Sequence, residues 1–471
     1  MMNDSKTIRG WAMYDWANSV FNLVITTAIF PQYFEGVTKA AAGNAGRIEN
    51  VVSEGVEHQL HYIKIFGFEF LNTALYSYCG TLFYFMVALL APLLSGWADV
   101  TGAKKKFMRF YVILGALSVM SLFFFDKNHI EIGVIGFVLA GIGWGGSLVY
   151  YNGFLPEIAS PDKYDEVSAK GFSYGYVGSV ILLVLILVMI LVPGLFFDVE
   201  GFRATLDSTL PKEELDQMVK SHFAGLGSRI GFILTGLWWF GFSLITFKRL
   251  PVEKAKGKGG LKQLGAGFQE LKKVLQFALK NRSLAFFIFG FFMLSMGLQT
   301  VMFVATLFGK NELHLETGQL ILTVLLIQLV AIGGAYLFSK FSNKFGDIPV
   351  IKFGVILWIG ICIGAYYLQT DIQFYALALA VGLIMGGIQS LSRAAFARFI
   401  PKDSKDLASF FSLYEFTEKI GIVLGTFAFG MVNELTGSMR VSTLMLAGFF
   451  VASFILFQMI QRPQHASENT N

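Results

Sequence analysis

The chain has 471 residues, of which 55% are hydrophobic, 15% aromatic and only 15% charged, against about 25% charged in an ordinary soluble domain. Apolar residues run in long blocks such as Val180–Leu191, and glycine (50) and phenylalanine (49) are both abundant. Together these exclude a soluble enzyme and a nucleic-acid binder and define an integral membrane protein. The net charge of +5 is then a matter of where loop lysines and arginines sit, not of an acidic partner.

Lys6 and Arg9 precede the first apolar stretch, as in a secretory signal, but that stretch runs from Trp11 to Phe34 and contains Asp15, Asn18 and Asn22. A signal core is shorter and lacks such residues, so a retained first span is expected. Windows of about 20 apolar residues, the length that crosses a bilayer as a helix, give twelve spans: 11–34, 73–96, 107–125, 130–152, 171–197, 229–248, 284–308, 317–340, 351–369, 373–397, 408–432 and 440–461. The runs are continuous rather than alternating, which favours helices over barrel strands. Cys79 and Cys362 lie in separate spans and read as small buried hydrophobes.

An even number of spans puts both termini on one face. Counting span ends with the loops they join, that face carries 26 Lys/Arg and the other 10. The termini are therefore expected in the cytoplasm. Between spans six and seven, Leu261, Leu264, Phe268, Leu271, Leu275 and Leu279 recur at helical spacing among Lys262, Lys272, Lys273 and Lys280. This predicts an amphipathic helix, lying on the inner membrane face or packed onto the loops. The predicted organisation is residues 1–250 as one six-helix bundle, 251–283 as a cytoplasmic linker and 284–471 as a second six-helix bundle.

The halves echo one another. Gly143-Trp144-Gly145-Gly146 in span four matches Met385-Gly386-Gly387 in span ten, and the exit loops carry Pro161-Asp162-Lys163 and Pro401-Lys402-Asp403, at an offset of about 240. The loop after span two, from Ser95 to Lys106, matches Ser339–Asp347 at an offset of 244. The first of these loops resembles the G-x-x-x-D-x-x-G-R-K/R-K/R signature of the major facilitator superfamily, with Gly96, Asp99, Gly102, Lys104 and Lys105 matching and Ala103 departing from the usual Arg. The resemblance implies an all-α membrane fold of twelve helices in two pseudo-symmetric bundles, and a conformational latch at those five residues. Trp11–Phe21 with Ile29–Phe34, and Gly386–Pro401 followed by Phe410–Glu415, are similar to the vacuolar amino-acid effluxer-like branch of that superfamily. That similarity implies a transporter, and an amino-acid substrate by resemblance only.

Polar side chains inside spans should face a cavity or the bundle interior, because lipid offers no hydrogen bonds. Asp15, Asn18, Asn22 and Thr26 form a stripe on helix one, and Ser295, Gln299 and Thr306 a compatible one on helix seven. In the superfamily helices one, four, seven and ten line the central path. Helix ten adds Gln389, Ser390 and Arg393; the arginine is suited to hold a substrate carboxylate, and equally to bind lipid phosphate or tie helices together. In Gly171–Ser179, Tyr174 and Tyr176 point to opposite sides, and Tyr174 is counted with Asp15, Asn18, Asn22, Gln299, Gln389 and Arg393 as a candidate substrate contact. Small residues around it serve helix packing.

Helix eleven carries Glu415, Glu418 and Lys419 deep in the hydrocarbon. Glu415 and Lys419 are spaced to pair along the helix. Glu418 then lacks a local partner and becomes the candidate proton carrier, or else all three form a static network completed by Arg393. His58 and His61 follow an H-x-x-H pattern without further ligands, so no metal site is expected. The external loop 198–228 is acidic and reads as an ordered cap or a surface segment. No phosphate-cradling glycine loop is present.

The expected function is secondary transport of a small polar metabolite by alternating access, proton-coupled, as symporter or exporter. Two rival functions are a non-transporting receptor or scaffold on the same fold, and a carrier of lipid or hydrophobic solutes. No enzymatic activity and no cofactor are expected. A small-molecule substrate and membrane lipids are the expected partners of a monomer in a bacterial plasma (inner) membrane.

Overall fold

The computed structural model describes residues 2–53, 56–206, 209–251, 264–313, 315, 317–401, 404, 406–436 and 438–460. The first span is α1 (Ser5–Val20), a π-helical stretch (Phe21–Ala28) and α2 (Phe30–Ala45) in succession. Asp4 caps α1 by accepting from the Thr7 amide and hydroxyl at 2.9 and 2.8 Å, and these bonds hold its carboxyl below the usual range. The π stretch begins where Thr26 and Thr27 both donate to the Asn22 carbonyl. The carbonyl is thereby drawn out of the regular ladder, and wide turns of this kind occur at functional sites.

The chain continues with β1 (Arg47–Ser53), β2 (Val56–Ile65) and β3 (Phe68–Leu71), then α3 (Asn72–Thr101), α4 (Lys104–Ser121), α5 (Ile130–Gly153), α6 (Leu155–Ile158), α7 (Tyr164–Leu191), α8 (Val199–Ala204) and α9 (Lys212–Arg249). After the linker come α10 (Leu264–Lys280), α11 (Arg282–Leu313), α12 (Thr317–Phe345), α13 (Asp347–Tyr366), α14 (Asp371–Phe399), α15 (Leu407–Thr436) and α16 (Met439–Gln458). Ten of these helical segments are long and apolar enough to cross a membrane on length and composition alone. The remaining two of the twelve spans are the first, broken by its π stretch, and α15, which holds four acidic or basic residues, Glu415, Glu418, Lys419 and Glu434.

In the first half α1 packs on α7 and α9, and α5 on α3 and α4; in the second α14 packs on α12 and α13, and α11 on α15 and α16. The halves meet through α3 against α15 and α7 against α12. These two contacts are equivalents, each joining the second helix of one half to the fifth of the other. The internal repeat extends to single residues. Gly141 and Gly145 on α5 sit against Phe83 and Val87 on α3, and Gly382 and Gly386 on α14 sit against Ile327 and Ala331 on α12. The glycines are 241 positions apart and their partners 244.

Two segments depart from a plain helix-and-loop reading. The loop after the first span folds as a three-stranded antiparallel sheet, turned at Phe66-Gly67 where both residues have positive φ. Ile63 and Ile65 are buried and Lys64 is exposed, the period-2 pattern of a half-buried strand. His58 and His61 both fall on β2, and the His58 side chain lies outside the described residues. In the acidic segment, 198–206 and 209–228 are described: α9 starts at Lys212 and is tied to α8 by the Arg203–Asp216 ion pair and by Phe202 stacked on His222 at 3.9 Å. In the linker helix α10, Val274 and Ala278 are buried against α3 and α15, Phe277 meets Phe410 at 5.8 Å, and Leu275 and Leu279 stay exposed. The helix therefore packs on the bundle by one stripe and leaves a second exposed; Leu261 and Lys262, and the side chains of Leu264, Phe268 and Leu271, lie outside the described residues.

A Cβ on Gly386 would collide with the Ala331 carbonyl, whereas one on Gly430 would meet nothing within 4 Å. Backbone cannot give way as a side chain can. Gly386→Leu is expected to abolish the monodisperse size-exclusion peak of detergent-extracted protein, while Gly430→Leu keeps it.

Candidate functional site

At mid-height between the halves lies a cavity of ≈ 160 Å³. Its polar lining comes from α1 (Asp15, Asn18), the π stretch (Asn22), α5 (Asn152), α7 (Tyr176), α11 (Ser295, Gln299), α12 (Gln328), α14 (Gln389, Arg393) and α15 (Glu415, Glu418, Lys419). Polar residues on separate helices thus converge here because each helix turns its hydrophobic faces to lipid and neighbours.

Arg393 is the centre of this wall. Nε donates to Ser168 Oγ at 2.9 Å and Nη2 to the Ser168 carbonyl at 2.9 Å. Both Nη1 and Nη2 reach Asp15 Oδ2 at 3.3 Å, and Nη1 also reaches Asn152 Oδ1 at 3.3 Å. The guanidinium lies over the rings of Phe172 (4.3 Å), Trp11 (4.8 Å) and Tyr151 (5.6 Å). The Tyr151 hydroxyl donates to Asp15 Oδ2 at 2.7 Å, and Trp11 is stacked on Tyr151. Arg393 thereby ties α14 to α1, α5 and α7 across the interface between the halves.

Asn152 carries the chain of polar contacts onward, its amide donating to Glu415 Oε1 at 2.9 Å. Glu415 Oε2 lies 3.1 Å from the Lys419 ammonium, which also donates to Glu418 Oε2 at 2.7 Å and sits 4.9 Å from the centre of the Trp144 ring. Gln299 closes the chain, donating to Glu418 Oε1 at 2.8 Å. Glu418 therefore has two partners, contrary to its expected isolation: the long Lys419 side chain reaches back to its immediate neighbour, and α11 supplies the amide.

Of the residues singled out in the sequence, the cavity brings together Asp15, Asn18, Asn22, Ser295, Gln299, Gln389, Arg393, Glu415, Glu418 and Lys419. Tyr174 is placed elsewhere. It does not line the cavity but lies half-buried with the Lys170 ammonium 6.0 Å from its ring centre. Tyr176 takes the inward position, two residues or about 200° further round the helix, and donates to Gln389 Oε1 at 3.2 Å. Thr26 and Thr306 are also absent from the lining, Thr26 being bonded back to Asn22. Asn152, Tyr151, Ser168 and Gln328 were not among the sequence candidates. A polar residue inside span four was the available signal for Asn152, but the run Tyr150-Tyr151-Asn152 reads as a span end.

The expected latch ties elements within the first half. Gly102 ends α3 in the left-handed region at φ 64°, which glycine adopts without strain. Lys104 pairs with Glu157, and Lys105 donates to the Leu250 carbonyl at 2.8 Å. Gly96 lies on α3, and the Asp99 side chain falls outside the described residues. Between the halves, on the face carrying both termini, Asp165 on α7 accepts from Ser342 on α12 at 2.5 Å and pairs with Arg398 on α14 at 2.7 Å. Arg398 also pairs with Asp347 at 2.9 Å and donates to the Pro161 carbonyl at 3.1 Å. Among the described residues the hydrogen bonds between halves run from this rim up to the cavity, and Asn22 beyond it is exposed. The cavity opens away from the termini.

The architecture is a two-bundle transporter, and comparison with known proteins agrees. Over 97% of this chain and 98% of its own, the fucose:proton symporter FucP in its outward conformation superimposes with a TM-score of 0.65 at 14% identity. The human organic anion transporter MFSD10 does so with a TM-score of 0.65 at 12% identity, over 97% of this chain and 100% of its own. These likenesses show the fold; with the family and the relatives that follow, the chain is a multi-pass secondary transporter of the major facilitator superfamily, not an enzyme. It belongs to the vacuole effluxer Atg22-like family, whose description matches residues 3–470. An uncharacterized MFS-type transporter of Bacillus subtilis, YxiO, is 26% identical over 100% of this chain and 98% of its own length. Autophagy-related protein 22 of Eremothecium gossypii is 23% identical over 96% and 90%.

Removing one member of a buried ion pair strands the other at a cost of about 3–5 kcal/mol. Arg393→Gln is expected to lose most folded protein by this route. Adding Asp15→Asn should recover part of it, read as the fraction that survives heating before size-exclusion chromatography.

Proposed function

We propose that the protein moves a small polar metabolite, amino acids first among the candidates, by alternating access around the mid-height cavity, with proton coupling through Glu418. The observation that carries this reading is the cavity itself: amides, hydroxyls and charges of both signs brought together between the two halves by residues that lie within membrane-spanning helices. A site at a bundle interface is where rocking of one half on the other alternately exposes a ligand. Such a polar wall is a poor surface for an acyl chain and costs too much for a scaffold with no ligand to receive. The amino-acid preference draws on the resemblance of Trp11–Phe34 and Gly386–Glu415 to the vacuolar amino-acid effluxer-like branch; the family description adds the word effluxer and names no solute.

The termini face is proposed to be cytoplasmic, in a bacterial plasma membrane. The excess of lysine and arginine in its segments supports that orientation. The conformation described would then be outward-open, with the Asp165–Arg398–Asp347 cluster and the Ser342–Asp165 bond as the closed inner rim.

Counterflow of radiolabelled amino acids, sugars, small peptides, amines and carboxylates in proteoliposomes tests the reading. Saturable exchange of at least one solute is expected, together with accumulation under an imposed pH gradient that Glu418→Gln abolishes. Failure of a correctly folded protein to move any of them overturns it. Arg398→Ala removes two ion pairs from the rim and should raise the labelling of cavity cysteines from the termini face several-fold, read by thiol reagents applied to each face of oriented vesicles.

A further inference from the structure

The charges of the cavity do not balance, and the way they pair says what is missing. Three carboxylates, Asp15, Glu415 and Glu418, share the wall with two cations, Arg393 and Lys419, which leaves one negative charge in excess when all are ionised. Both cations are already committed. The five N–H donors of a guanidinium correspond to the five hydrogen bonds that Arg393 makes to Ser168, Asp15 and Asn152, and aromatic rings lie against it. The Lys419 ammonium is held between two carboxylates and against the Trp144 ring. A ligand carboxylate entering the cavity would therefore find no unpaired cation, only neutral donors such as the buried Ser392 hydroxyl, which has no partner among the described residues.

The acceptors are different. The Glu418 side chain keeps 17% of its surface exposed, against 8% for Asp15 and 2% for Glu415. Each of its oxygens takes one hydrogen bond, from Lys419 and from Gln299, where a carboxylate oxygen accepts two. Gln328 Oε1 of α12, in the same half as Glu418, is buried, lines the cavity and has no hydrogen-bond partner among the described residues. An orphaned buried carbonyl and an under-used carboxylate lining one cavity are costly in an empty site and are relieved by a ligand that brings N–H donors and positive charge.

We infer that the cavity selects ligands by a protonated amine, seated on Glu418 with Gln328 Oε1 as a second acceptor on the wall, and that a ligand carboxylate contributes little to recognition. This rests on the transporter reading above and narrows its substrate class: amines, cationic amino acids and neutral amino acids bind through the ammonium group, and amine-free acids do not bind.

Two matched series test it on purified protein in detergent by thermal melting against ligand concentration: leucine, isoamylamine and 4-methylpentanoate, and lysine, cadaverine and hexanoate. At least one series should show saturable stabilisation by its amine-bearing members and none by the amine-free acid, with the decarboxylated amine within a few-fold of the parent amino acid. Glu418→Gln should raise the midpoint of the binding amine at least tenfold, Glu418→Asp by less, and Gln328→Leu several-fold. Gln328→Leu leaves the ion pairs intact and reports on the site even where Glu418→Gln fails to fold. Equal binding by the amine-free acid, or wild-type amine midpoints in both folded Glu418→Gln and Gln328→Leu, overturns the assignment. Counterflow of sugars or carboxylates with no amine bound or moved also overturns it, while leaving the transporter reading in place; no movement of any solute removes both.

Discussion

Charge buried where there is no water must be neutralised by charge, and the rest of this molecule is arranged around that requirement. Asp15, Arg393, Glu415, Glu418 and Lys419 lie inside spans, and each has its counterion within 3.3 Å. The pairing is not local to one bundle. Asp15 belongs to the first half and Arg393 to the second, and Asn152 of the first half accepts from Arg393 while donating to Glu415. The two halves are thus registered against each other by polar contacts that neither half satisfies alone. Separating them would leave several charges stranded, which in hydrocarbon is far more costly than losing apolar contact, since lipid replaces apolar contact at little cost.

That registration bears on how the halves can move. Contacts at the rim near the termini, from Asp165 to Ser342 and Arg398, lie furthest from the mid-height network. Rocking about the cavity displaces rim residues most and central residues least, so the rim bonds are the ones exchanged for water. They are also partly exposed at Arg398 and Asp347, where water can replace a lost partner. The buried Arg393 contacts have no such substitute, which suits them to be the pivot of the proposed rocking. Close glycine approaches on α5 and α14 keep each half stiff, with backbone against backbone at Gly386 and Ala331; stiff bodies joined at a pivot are what rocking requires.

Much of this was legible in the sequence because hydrocarbon is an unforgiving solvent. Span lengths, the sixfold division and the inward side of the polar stripes on helices one, seven, ten and eleven all follow from hydropathy and spacing. The repeat offsets near 240 and 244 reappear as equivalent glycine seats. What sequence spacing missed is informative. Tyr174 and Tyr176 differ by little in composition, and which of them faces inward depends on the rotation of α7, set by its packing against α1 and α12. Glu418 looked isolated because a helical wheel places neighbours i and i+1 apart, but a flexible lysine spans that angle. Asn152 was hidden at the apparent end of a span, and its role as bridge between two charged pairs depends on a residue 263 positions away. The three-stranded sheet lies outside the spans, where the constraint of lipid is absent and hydropathy says least.

The identity of the two cations is as constrained as their position. Arg393 must meet Asp15 and Asn152 on one side and Ser168 on the other while rings of Trp11 and Phe172 lie against its plane. Only a flat, delocalised cation with donors spread around its edge satisfies all of these at once, because an ammonium has three donors and no faces to stack. Lys419 faces the opposite demand: two carboxylates on its own helix, one and four positions before it, with the Trp144 ring on another side. A compact point charge on a flexible stem fits there, and a guanidinium would press its fork into the indole. The high aromatic content therefore has a polar reason beside the hydrophobic one. Aromatic rings are apolar enough for the membrane interior and still offer a negative face to a cation, so they wall in the charges of the cavity without adding hydrogen-bonding groups that would need partners of their own.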